Sequence, residues 1–133
     1  MSEQAGAITI LIVDDESHIL NVLSLKLQNA GYHVMTAADG EEGFELAQQI
    51  QPDLIISDYQ MPFMTGLEMC AKLREQPATA KTPALMLTAR GFSLTQIDLE
   101  RTIIRGVLSK PFSPREVLSR VQELVQSGVT QTA

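Results

Sequence analysis

The chain contains no tryptophan, one cysteine, and only two tyrosines and four phenylalanines among its 133 residues. A lone thiol closes no intrachain disulfide, so the fold must rest on its apolar core, and a reducing compartment is the expected home. That thiol, Cys70, lies in the helix-like stretch Leu67–Leu73, where a small buried apolar role is expected. Positive charge is scarce as well: ten Lys and Arg stand against sixteen Asp and Glu, for a net charge of -6. A broad nucleic-acid footprint needs a basic face, which this balance excludes. Long hydrophobic runs are also missing. The first apolar stretch, Ile8–Val13, includes Thr9 and stops at Asp14, far short of the roughly 20 residues a membrane span requires. Met1–Ser2–Glu3–Gln4 lacks the basic region of a secretory leader. The expectation is a cytoplasmic protein that contacts neither nucleic acid nor membrane.

What is present suffices for one globular domain. A hydrophobic fraction of 44% and a charged fraction of 20% fit a folded chain large enough to bury a real core. Residues 8–126 read as the domain, 1–7 as an N-terminal extension and 127–133 as a polar tail. Short apolar runs recur at Ile8–Val13, Tyr32–Ala37, Leu54–Asp58, Pro83–Thr88 and Gly106–Ser109. Most are apolar on successive residues, as in strands buried on both faces. Helical patterns fill the intervals. The first spans Ser17 to Asn29, with Ile19, Leu23 and Leu27 on one face and Gly31 as its stop. Leu20, Val22 and Leu25 widen that stripe, as for a helix packed on two sides or one that docks a partner. The second spans Glu41 to Ile50 with Phe44 and Ala47 inward, ended by Gln51–Pro52. The third spans Gly66 to Glu75. A weaker fourth spans Thr95 to Thr102, with Asp98 as a capping partner. Ser113–Pro114–Arg115–Glu116 opens the last helix with a capping hydroxyl, a proline at the first position and a glutamate at the third. Five strand–helix alternations predict an α/β fold: a doubly wound five-stranded parallel sheet with helices on both faces.

In such a sheet every strand exit lies on one edge, where open α/β folds bind their ligands. The exits here carry Asp14 and Asp15, then Asp58, then Thr88, then Lys110. Three carboxylates against one ammonium leave this group with excess negative charge. Two carboxylates about 4 Å apart repel by roughly 4 kcal/mol at a near-surface dielectric, so a proton or a cation must be held there. Mg2+ is the usual ion where one or two carboxylates share it with a phosphate. Asp58, alone at the end of the central run, is the expected nucleophile toward phosphorus, with Lys110 and the Thr88 hydroxyl on the phosphoryl oxygens. His18 and His33 have no activated neighbour in the sequence, and surface or packing roles are expected for both.

Leu11–Glu16, Asp58–Tyr59–Gln60–Met61–Pro62 with Met64 and Gly66, Thr88–Ala89, and Lys110–Pro111–Phe112 together resemble the bacterial response-regulator receiver domain. The likeness covers about Ile8 to Gln126. It implies the flavodoxin-like strand order 2-1-3-4-5, an order for which a member of this family is a standard example. It implies that Asp58 accepts a phosphoryl group from a phosphohistidine on a sensor histidine kinase or histidine phosphotransfer protein. Mg2+, or Mn2+ in its place, would be held by Asp15, Asp58 and the main-chain carbonyl of Gln60, with Asp14 reaching it through water. Lys110 would pair with the phosphoryl group, Thr88 would move toward it, and the Lys110–Pro111 peptide would be cis. Donor docking would fall on the first helix and the loop around Pro111. The face of the fourth helix, fifth strand and fifth helix would serve dimers or targets, in a monomer or weak dimer acting on an unidentified downstream protein.

The sequence also departs from the family pattern. Val107 stands three residues before Lys110, where the family often has an aromatic switch, and valine cannot swing in and out as a ring does. Gln60 and Arg90 occupy positions that tune dephosphorylation in the family. Two other classes compete with the receiver. An aspartate-nucleophile phosphohydrolase uses a similar Asp, Thr and Lys set, but places its nucleophile on the first strand with a second Asp two residues on; here Asp14 and Asp15 are adjacent. A degenerate receiver acting only as a scaffold would lack some of the five side chains, and all five are present.

Overall fold

The computed structural model of the chain describes residues 7–89 and 93–132, with side chains through Gln126. Five strands alternate with five helices: β1 (Thr9–Val13), α1 (Ser17–Asn29), β2 (His33–Ala37), α2 (Gly40–Ile50), β3 (Leu54–Asp58), α3 (Gly66–Arg74), β4 (Ala84–Thr88), α4 (Gln96–Arg101), β5 (Ile104–Ser109) and α5 (Pro114–Thr132). The strands form one sheet in the order β2-β1-β3-β4-β5, and every pair is parallel.

The apolar runs explain this arrangement residue by residue. Successive side chains of a strand point to opposite faces, so a continuous run feeds two cores at once. Ile10 and Ile12 of β1, with Leu54 and Ile56 of β3, pack against Leu23 and Leu27 of α1 and Val117 and Val121 of α5. Leu11, Val13 and Ile55 face the other way, onto Ala47 of α2 and Met69, Cys70 and Leu73 of α3. Strands β3 and β4 are buried along their whole length. At the sheet edge, β2 buries only Ala37.

Local chemistry sets the helix ends. Thr95 and Asp98 cap each other's backbone N–H groups at the start of α4, and Ser113 and Glu116 do the same before α5. Thr65 and Glu68 form a third such pair at α3. Gly31 turns away from α1 at φ 101°, and Gln51, in front of Pro52, closes α2 at φ 47°.

Two boundaries differ from the sequence expectation. Strand β5 begins at Ile104 rather than Gly106. Its alternation is broken by exposed Arg105 and by a register shift against Ala84 and Leu85, so the pattern conceals its start. Helix α5 also runs past Gln126, through the stretch 127–132 of the expected polar tail, to Thr132. A helix needs only its backbone hydrogen bonds to continue, and no proline interrupts it.

Candidate functional site

The sheet register aligns the strand exits at one rim. Val13 lies beside Ser57, Asp58 beside Leu87, and Thr88 beside Ser109, so Asp14, Asp58, Thr88 and Lys110 each sit at or one step past the end of a strand, and Asp15 and Gln60 two steps past. Backbone bonds hold them there. Asp14 N–H donates to the Ala37 carbonyl at 3.1 Å, Tyr59 N–H to Leu87 at 2.9 Å, and Lys110 N–H to Thr88 at 2.7 Å. The loop after Asp58 folds back on itself, with Gly66 N–H donating to the Tyr59 carbonyl at 2.8 Å. No side chain fits at Gly66: a Cβ there would collide with the Asp58 carbonyl oxygen.

These constraints enclose a pocket of about 240 Å³ lined by Asp15, Glu16, Asp58, Tyr59, Gln60, Thr88, Ala89 and Lys110. Lys110 Nζ lies 3.2 Å from Asp58 Oδ1. Asp58 is 5% exposed and Asp14 only 1%, whereas Asp15 lies at the surface. One carboxylate oxygen each from Asp14, Asp15 and Asp58 falls within a mutual 4.8 Å. The Lys110–Pro111 peptide is cis.

The pocket thus unites five of the six residues singled out in the sequence: Asp15, Asp58, Gln60, Thr88 and Lys110. Asp14 sits behind its wall but within the acidic cluster. Glu16 and Tyr59 are additions; each directly follows a singled-out aspartate, which was the available signal. Arg90 and Phe92 lie outside the described residues. Phe112 is half-buried against the α1–α5 core, while His18 and His33 are exposed.

Burial and charge shape the ionisation of this rim. Burial pushes the Asp14 carboxyl up to about 6, against the hydrogen bond from Glu16 N–H, with the Asp58 charge adding to the rise. Burial also raises Asp58, while its hydrogen bond and ion pair with Lys110 pull it back. For Lys110 burial acts downward, but the hydrogen bond and charge of Asp58, with the charges of Asp14 and Glu16, outweigh it and leave the ammonium more firmly protonated than usual. The donor set is all hard oxygen, which suits a small divalent cation.

A doubly wound sheet with an acidic, lysine-bearing pocket at its ligand-binding edge defines a class of small α/β modules. Within it, the model of the response regulator receiver domain matches residues 10–122, and the chain belongs to that family. It is therefore a domain of two-component signalling. The alkaline phosphatase synthesis transcriptional regulatory protein PhoP of Bacillus subtilis is 40% identical over 117 residues, covering 88% of this chain and 48% of its own. The DNA-binding dual master transcriptional regulator RpaA of Synechocystis is 42% identical over the same length and coverage. The chain spans about half the length of these curated relatives. Among solved structures, the chemotaxis response regulator CheY4 of Vibrio cholerae superposes with a TM-score of 0.81 at 40% identity, covering 89% of this chain and 98% of that one. The receiver domain of the sensor histidine kinase PA1611 of Pseudomonas aeruginosa, solved with a magnesium ion coordinated in its active site cleft, gives 0.79 at 25% identity, covering 91% and 99%.

Proposed function

We propose that Asp58 accepts a phosphoryl group from a phosphohistidine carried by a sensor histidine kinase or histidine phosphotransfer protein. One Asp58 carboxylate oxygen attacks phosphorus as the phosphorus–nitrogen bond to the donor histidine breaks, leaving an acyl phosphate. The observation that carries this reading is the ion pair of Lys110 with Asp58 at 3.2 Å, set within an acidic cluster at one pocket. Lys110 is placed to follow the negative charge onto the phosphoryl oxygens, and the Thr88 hydroxyl to donate to them. Asp15, Asp58 and the Gln60 carbonyl are assigned to Mg2+, with Asp14 acting through water. When bound, the ion supplies charge neutralisation between acceptor and phosphoryl group. The magnesium ion in the cleft of the PA1611 receiver domain supports this assignment. The domain acts in the cytoplasm by altering protein binding once phosphorylated, and does not turn over an external substrate.

Acetyl phosphate with Mg2+ should label the protein once per chain, as read by intact mass, and Asp58→Asn should abolish the label. Full labelling of Asp58→Asn would remove Asp58 as the acceptor.

A further inference from the structure

Phe63 stands apart from every other large apolar side chain in the described residues. It is 99% exposed, and its backbone lies at φ 70°. Met64 N–H donates to the Pro62 carbonyl across it at 2.8 Å, so Phe63 is the centre of a three-residue turn with positive φ, a rare and strained conformation. Glycine or asparagine would meet that φ with less strain. The turn is firmly footed: Met61 is buried and Met64 packs into the α2–α3 core, its side chain crowding Gly40. A bulky aromatic is thus turned outward, in unfavourable backbone geometry, and left almost wholly uncovered by the described residues. Such an outlier points to a function outside the chain.

Its position says what covers it. Tyr59 is on the pocket wall, and four residue steps at full extension place Phe63 within roughly 15 Å of it. A partner that brings a histidine to nearly buried Asp58 must lie over the pocket mouth. A specific interface covers about 800 Å² per partner, a patch of roughly 16 Å radius, a reach comparable to that separation. A second copy seated on Phe63 would cover the same mouth and shut it to a donor.

We propose that Phe63 is an anchor for the phosphohistidine-bearing donor protein, inserting into an apolar recess beside the donor histidine. This rests on the phosphoacceptor reading of Asp58 and adds a third contact region to α1 and the loop around Pro111. Rigid aromatics are the side chains that most often dominate such contacts.

The test separates donor docking from chemistry. Purified histidine kinases of the source organism are autophosphorylated with labelled ATP and mixed singly with the full chain; the one that transfers fastest is then used with the variants. Phe63→Ala should slow that transfer by about tenfold or more, and Phe63→Leu should restore most of it. Both variants should take label from acetyl phosphate within about twofold of the parent and melt no lower, since a small donor needs no docking surface and the side chain supports no core. Unchanged transfer to Phe63→Ala would overturn the proposal. So would failure of every kinase to transfer to the parent chain, or a parent dimer that Phe63→Ala dissociates in sedimentation. Failure of acetyl phosphate to label the parent at Asp58 would instead overturn the underlying phosphoacceptor reading.

Discussion

Asp14 is 1% exposed yet carries an ionisable carboxyl, and the two facts together make it a pH-dependent liability in the metal-free protein. Burial, joined by the Asp58 charge, holds it up to about 6 against an ordinary 3.8. Below the ordinary value it is protonated in folded and unfolded chains alike, and contributes no difference. Between about 4 and 6 the folded chain holds the proton that the unfolded chain has lost, so this group's contribution to stability falls as pH rises. Asp14→Asn keeps an oxygen for Glu16 N–H and cannot ionise. In EDTA it should therefore match the parent near pH 4 and exceed it increasingly up to about pH 6.5, by roughly 3 kcal/mol at most. Urea unfolding across that range measures the gap, and a gap that is constant with pH would contradict it. The shift on Asp58 has the same sign and is present in both proteins, so it largely cancels in the comparison.

At the scale of elements, the segment joining β3 to α3 sets Asp58 in place and depends on one missing side chain. A Cβ at Gly66 would meet the Asp58 carbonyl, with the Met86 sulfur and Ser57 hydroxyl each 2.9 Å away. Backbone and buried neighbours cannot yield cheaply, so Gly66→Ala should cost about 2 kcal/mol. That lowers Tm by about 5 °C or more and slows acetyl phosphate labelling by displacing Asp58. A parent-like melt would show that the loop yields freely. The same segment shows what a sequence discloses. The runs at Leu11–Val13, Leu54–Ile56 and Leu85–Leu87 revealed buried strands because each residue faces a core on one side or the other. The Ser113–Glu116 cap was equally plain, because its chemistry is local. Once the sheet was inferred to be parallel, Asp14, Asp15, Asp58, Thr88 and Lys110 had to meet. The start of β5 was obscured, because exposed Arg105 interrupts its apolar run. Phe63 was invisible for a related reason: its exposure and positive φ go with a turn footed on buried Met61 and half-buried Met64, which no local pattern announces.

For the whole molecule, the fold and the proposed Mg2+ site draw on the same acids. Sixteen acidic side chains give the chain its excess negative charge, and among the described residues the fold gathers three within 4.8 Å at the sheet edge. The unfolded chain disperses them, so a cation that binds the cluster binds the folded state and stabilises it by mass action. At 100 times its dissociation constant, Mg2+ would add about 2.7 kcal/mol, or a Tm rise of roughly 10 °C for a domain of this size. Protons compete for the same oxygens. The Mg2+-induced rise should therefore be large at pH 7 and shrink toward pH 5, as Asp14 protonates through about 6. Thermal melts with Mg2+ or EDTA at matched ionic strength read this directly, and Asp58→Asn should shrink the rise at both pH values. An equal rise at pH 5 and pH 7 would place the ion away from the buried acids. No rise at either pH would mean that the rim balances its charge through Lys110 and protons alone.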